Sequence, residues 1–301
     1  MAFKPRIESL ELLILRILNT RMELTEEERR NYFNLEKGYQ GEVQFDFLTE
    51  KLQSNCHILN DLLIESNNKD FQIDSTLIFQ EPLYVFEVKY YQGNFIFKPD
   101  RLETLSGKIY QNPLDQLKRT KTLLRQLLQN LGYNIPIEGY VVFNNPDFFL
   151  YQAPLNEPII YAPQLKTFMK KLNRKQSKLS IHHNKLAEKL VSLHKVVSPY
   201  SKLRAYSFEE LRKGLTCSAC HSFNVSLCGG KLVCYDCGCE EKIDAAVLRS
   251  VDEIKLLFPE MKITTNVVRE WCVVIKSQKM IKRILKENYK VMGKKKYTYY
   301  V

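Results

Sequence analysis

Residues 71–91, FQIDSTLIFQEPLYVFEVKYY, constrain the fold more than any other stretch of this chain. Two runs rich in Ile, Leu, Phe, Tyr and Val flank Gln80-Glu81-Pro82, and Pro82, having no N–H, suits a turn rather than a ladder. The pattern predicts a β-hairpin. Along the second run successive side chains face opposite ways, so Glu87 and Lys89 share one surface while Phe86, Val88 and Tyr90 share the other. A two-residue loop would pair Phe79 with Pro82 and set Asp74 opposite Glu87; a longer loop would slide Asp74 toward Val88 or Lys89. In either register two carboxylates and an ammonium come close together. Such carboxylates repel unless a cation lies between them, and their hard oxygens suit Mg²⁺ or Mn²⁺. A surface Glu–Lys ion pair is the other reading of the same strand.

Charge is unevenly spread over the 301 residues. The formal net charge of +11 divides into −5 for residues 1–164, +10 for 165–213, −1 for 214–240 and +7 for 241–301. The candidate cation site thus lies in the acidic half, and the basic half calls for a polyanion such as DNA or stands as a solvated face. The apolar stretch Leu10–Leu18 is short and broken by Arg16, so a signal peptide is not expected, and no run approaches a membrane span. A cytoplasmic protein is the expectation. Six of the eight cysteines fall between Cys217 and Cys239, which points to metal rather than disulfides.

Glu8–Leu18 has helical apolar spacing, and Thr25-Glu-Glu-Glu28 is a capping box opening a second helix. Gly38-Tyr-Gln-Gly41 is expected to interrupt it, leaving Glu42 in the first turns of a further helix. Strands are predicted at 57–65, 94–98, 136–143 and 158–161. Asn112-Pro113 supplies an N-cap and first position for a helix that stops at Gly132, with Gln116 in its first turn, and 163–172 reads as another helix. This order fits a mixed sheet flanked by helices. Residues 173–205, with Ile181–Val196 in helical spacing, read as a basic connector in which His182, His183 and His194 are solvated positions or ligands.

Cys217-Ser-Ala-Cys220 and Cys234-Tyr-Asp-Cys237 form two CxxC knuckles thirteen residues apart, the spacing of a zinc ribbon. Cys228 and Cys239 lie near enough to substitute for a ligand. Three short helices follow, at 251–258, 265–275 and 278–289, capped by Thr264 or Thr265 and by Ser277. The last carries Lys279, Lys282, Arg283 and Lys286, and Tyr297-Thr-Tyr-Tyr300 has the pattern of a wing strand. Together they read as a helix-turn-helix-like module contacting DNA phosphates, or as a solvated helical cap.

Gly41-Glu42, Gln72-Ile73-Asp74, Glu87-Val88-Lys89 and Asn112-Pro113-Leu114-Asp115-Gln116, in that order, resemble the nuclease-related (NERD) domain, a branch of the PD-(D/E)xK nuclease superfamily. The resemblance spans roughly residues 36–145. It implies a restriction-endonuclease-like α/β fold and metal-dependent cleavage of DNA phosphodiesters. Asp74 and Glu87 would be the metal carboxylates, with the Val88 carbonyl a further ligand. Lys89 would position the attacking water, Glu42 would support the metal or its waters, and Gln116 would be the helix glutamine. Ser75 follows Asp74 where the family more often carries His. The expected divisions are a helical segment 1–35, a nuclease domain 36–172, a connector 173–213, a zinc ribbon 214–240 and a DNA-binding module 241–301. A nuclease-like DNA-binding or regulatory protein that does not cut is the alternative.

Overall fold

The computed structural model describes residues 1–195 and 203–301, in two units, Met1–Ser9 with Phe33–Ser201 and Leu10–Tyr32 with Lys202–Val301. Residues 196–202 of the basic connector lie outside the described residues. The helices α1 (Leu10–Arg21) and α2 (Glu26–Thr49) come first. Three strands follow, β1 (His57–Ser66), β2 (Lys69–Ile78) and β3 (Leu83–Lys89), then β4 (Gly93–Phe97), β5 (Arg101–Thr104) and β6 (Ile109–Gln111). Next are α3 (Pro113–Asn130), β7 (Ile137–Phe143), β8 (Phe148–Tyr151), β9 (Ile159–Tyr161), α4 (Ala162–Asn173) and α5 (Ile181–Ser192).

The first unit is a mixed sheet in the order β1-β2-β3-β7-β9, antiparallel through β1, β2 and β3 and parallel from β3 to β7 and β9. Helices cover both faces. One core joins Val85, Ile73 and Val141 to Leu117, Leu124 and Leu128 of α3 and Leu186 and Leu190 of α5. The opposite core joins Phe86, Val88 and Val142 to Phe45 of α2 and Leu165 and Met169 of α4. Lying between the two, β3 is buried along nearly its whole length, as a strand covered on both faces must be.

Local signals act as the sequence predicts at several ends. Thr25 Oγ1 accepts from Glu28 N–H at 3.2 Å while Glu28 Oε2 accepts from Thr25 N–H at 2.8 Å, closing the capping box. Asn112 Oδ1 accepts from Leu114 N–H at 3.0 Å, Pro113 takes the first helical position, and Gly132 turns the chain away at φ +81°.

Two expectations are corrected. Helix α2 runs unbroken through Gly38 and Gly41. Gly41 is there for space: a Cβ on it would come within 2.4 Å of Tyr90 Cβ, so the absent side chain lets the helix approach the end of β3. The second difference is a separate sheet, β6-β5-β4-β8, of which the sequence showed only β4. Its other strands have three or four residues each, too few for alternation to register.

In the second unit β10 (Val225–Cys228), β11 (Lys231–Cys234) and β12 (Glu240–Lys242) form a three-stranded antiparallel sheet. It leads into α6 (Ile243–Leu257), α7 (Thr265–Cys272) and α8 (Gln278–Asn288), and a small ribbon of β13 (Val291–Met292) and β14 (Tyr299–Tyr300) closes the chain. Thr264 and Ser277 cap α7 and α8 as their side chains accept from Val267 N–H and Met280 N–H. Trp271 is fully buried at the centre of a core that also takes in Ile14 and Leu18 of α1. No helix among the described residues is long and apolar enough to cross a membrane.

Candidate active site

Strands β2 and β3 build the centre of a cleft of about 360 Å³ in the first unit, and Glu42, Asp74, Glu87, Lys89 and Gln116 all line it. Ser75 pairs with Phe86 and Ile78 with Leu83, which is the two-residue-loop register; continued one step, it sets Asp74 opposite Glu87. At Asp74 the alternation of β2 changes phase. Phe71 and Ile73 enter the same core as Ile78, and on β1 Leu59, Leu62 and Ile64 do likewise across Asp61, whose φ is +54°. Asp61 and Asp74 face each other in this register, yet they are the one pair the ladder skips. The irregularity frees Asp74 Oδ2 to accept from the Val88 N–H at 2.7 Å.

Asp74 and Glu87 are each only 8 % exposed. Burial raises the Asp74 carboxyl above its ordinary range, against the pull of Lys89 and of the Val88 N–H. Burial, then the charge of Asp74, raises Glu87, although Lys89 Nζ lies 2.7 Å from Glu87 Oε1 and works the other way. Lys89 is held above its usual value because Glu87 and Asp74 outweigh the cost of its own burial. Glu42, on α2, is likewise raised by burial and then by Asp74. Gln116 stands in the first turn of α3 with Nε2 3.5 Å from Gln111 Oε1, and Arg119, three residues on, lines the same cleft.

Sequence patterning gave no sign of Arg6. Its guanidinium, 4 % exposed, donates to both oxygens of Asp46 at 2.8 and 3.1 Å, to Glu42 Oε2 at 2.5 Å and to the Asp74 backbone carbonyl at 2.6 Å. Its charge stays firmly protonated despite burial, owing to Asp46 and Glu42. Nearby, buried Lys4 donates to the carbonyls of Asn60 and Asp61 at 2.7 and 2.8 Å.

These residues fit a hard divalent cation. Glu42, Asp74 and Glu87 bring carboxylate oxygens to one cleft that Lys89, Gln116 and Arg119 also line. Oxygen donors of this kind suit Mg²⁺ or Mn²⁺.

Two of the connector's three histidines have local partners, and His182 is exposed. His183 Nδ1 accepts from Ser180 N–H at 2.9 Å at the start of α5, and His194 Nδ1 accepts from Leu63 N–H at 3.1 Å.

In the second unit the sulfurs of Cys217, Cys220, Cys234 and Cys237 lie within 4.8 Å of one another. Cys217–Cys237 and Cys220–Cys234 are each 3.6 Å apart, close to the edge of a tetrahedron with metal–sulfur bonds of about 2.3 Å. The four-thiol set is compatible with a zinc ribbon. Burial pushes the Cys217 thiol up, but the N–H groups of Cys220 and Ala219 overcome this and bring it down to about 6. Against backbone N–H donation, the neighbouring thiols hold Cys220 and Cys237 above their usual value. Cys228 and Cys239 fall outside the cluster; Cys239 Sγ lies instead 3.6 Å from Ser218 Oγ. Lys279, Lys282, Arg283 and Lys286 are exposed on α8, with Arg283 tied to Asp244 at 2.8 Å and to Glu287 at 2.7 Å.

Residues 37–144 match the family model of the nuclease-related domain, and the chain carries that domain there. The match spans Glu42, Asp74, Glu87, Lys89 and Gln116 but not Arg6. No curated protein matches the chain. One crystal structure, of a protein of unknown function, aligns over 83 % of this chain and 95 % of its own at 12 % identity, with a TM-score of 0.23.

Proposed function

We propose that the first unit is a metal-dependent DNA endonuclease in which Asp74 and Glu87 hold Mg²⁺ or Mn²⁺. The observation that carries this reading is the meeting of Asp74, Glu87 and Lys89 in one cleft of a nuclease-related domain. When bound, the cation supplies a Lewis acid for the scissile phosphate. The Val88 N–H fixes the orientation of the Asp74 carboxylate, and the Val88 carbonyl is a further candidate ligand. Lys89 holds a proton firmly at Nζ, so it can orient a water by donation and offset charge growing on the phosphate oxygens. Glu42 supports the cation's surroundings, and Gln116 offers its amide to the same cleft.

In this reading the second unit binds the substrate. Cys217, Cys220, Cys234 and Cys237 hold a structural zinc, and the helices α6 to α8 with the β13–β14 ribbon act as a winged helix-turn-helix whose Lys279, Lys282 and Lys286 meet phosphates.

A second reading, a DNA-binding protein that does not cut, draws on the ion pair between Lys89 and Glu87, which occupies both groups. Plasmid incubated with the protein and Mg²⁺ or Mn²⁺ separates the two. Cleavage that is lost in Asp74→Ala and in Lys89→Ala supports the endonuclease. Cleavage surviving both substitutions places the activity elsewhere, and tight binding without cleavage favours the second reading.

A further inference from the structure

Arg6 lies 31 residues before the matched domain begins and spends its donors on three residues in two segments, Glu42 and Asp46 of α2 and Asp74 of β2. Nε and one terminal nitrogen clamp Asp46 on α2, a terminal nitrogen reaches the Asp74 carbonyl on β2, and the remaining one holds Glu42 Oε2. Asp46 lies four residues after Glu42, so the two carboxylates sit on one helix face and a single planar fork reaches both. With four donations fixed and 4 % exposure, the guanidinium has almost no freedom to leave.

We infer that Arg6 is a positioning residue for the cation site that acts through Glu42: it holds Glu42 Oε2 and so leaves Oε1 for the cleft. Arg6 is the counter-ion of buried Asp46 and partly exposed Glu42 beside Asp74, so removing it would free Glu42 to turn out toward water. It fixes geometry as well as charge, since a lysine ammonium cannot serve a carboxylate pair and a carbonyl through one rigid fork. Groups that orient ligands without touching the metal commonly govern affinity about 10- to 100-fold. The site is then incomplete in the matched domain alone, because residues 1–9 contribute its orienting cation.

This inference rests on the proposed cation site, and the experiment separates the two. Mn²⁺ affinity of the full chain is measured by electron paramagnetic resonance for wild type, Asp74→Ala, Arg6→Lys, Glu42→Gln and the double variant Arg6→Lys/Glu42→Gln. If Asp74→Ala binds Mn²⁺ as wild type does, the cation site itself is wrong and the role of Arg6 falls with it. If Asp74→Ala abolishes binding, Arg6→Lys is expected to weaken it about 10- to 100-fold. That loss should shrink to less than about threefold in the Glu42→Gln background, because Arg6 acts through Glu42. Unchanged affinity in Arg6→Lys, or equal losses in both backgrounds, overturns the inference. Should Arg6→Lys fail to fold, Asp46→Asn loosens the fork while sparing its charge; a loss confined to the Glu42 background supports the role, and no loss overturns it.

Discussion

Asp74 Oδ2 accepts the backbone N–H of Val88 at 2.7 Å, a side chain standing where a ladder bond would otherwise run between β2 and β3. The bond ties the shape of the hairpin to the direction of its carboxylate. It also means that function and fold can be pried apart at this position.

Asp74→Asn keeps an acceptor for the Val88 N–H, whereas Asp74→Ala leaves that buried donor alone. We expect Asp74→Ala to unfold about 1–3 kcal/mol more easily than Asp74→Asn. Both should lose Mn²⁺ binding. Denaturant melts of the two variants check the first statement; equal midpoints would mean that the Val88 N–H finds another partner.

The thiol cluster predicts about one zinc per chain by elemental analysis, with four specific ligands. Cys217→Ser and Cys234→Ser should abolish zinc retention. Cys228→Ser and Cys239→Ser should keep it in full, since neither sulfur joins the four. Zinc loss from Cys239→Ser would require a different ligand set.

The lysines of α8 are exposed, so their removal spares the core. Lys279→Ala/Lys282→Ala/Lys286→Ala should weaken DNA binding and reduce the slope of log affinity against log salt by about 0.9 for each phosphate that is no longer neutralised. Arg283→Ala should change the slope less, because Asp244 and Glu287 already occupy its guanidinium. An unaltered slope in the triple variant would remove α8 from the interface.

His194 gives a pH dependence with a definite sign. Its Nδ1 accepts the Leu63 N–H, which only the neutral ring can do. Burial, followed by the charge of Lys4, holds its pKa below the usual 6.5, with Asp61 opposing weakly. The unfolded chain therefore takes the proton first. Stability from this interaction is present above about pH 6.5 and fades as pH falls through that value toward the folded pKa. Hydrogen exchange at the Leu63 amide, corrected for its intrinsic rate, should quicken between about pH 7.5 and pH 5. His194→Gln, which accepts at any pH, should remove the trend.

What was legible in the sequence was local. Alternation in 71–91 placed Glu87 and Lys89 on one face, and they stand 2.7 Å apart. Asn112-Pro113 and Thr25…Glu28 marked helix starts because a cap acts within one turn. The CxxC spacing gathered four sulfurs because each knuckle is a single tight turn. Gly41 misled for an equally local reason: a glycine that ends a helix and one that makes room for Tyr90 look alike in a string of letters.

The sequence by itself determined which residues could do chemistry and the strand and helix types that carry them, since period, capping and knuckle spacing act over a few residues. Only the tertiary structure decided how those residues are held. Arg6 reaches Glu42 and the Asp74 carbonyl across separations of 36 and 68 residues, and the phase change at Asp61 and Asp74 depends on two strands meeting. Such pairings are set by burial and by satisfying buried charge over the whole fold, and no local pattern records them.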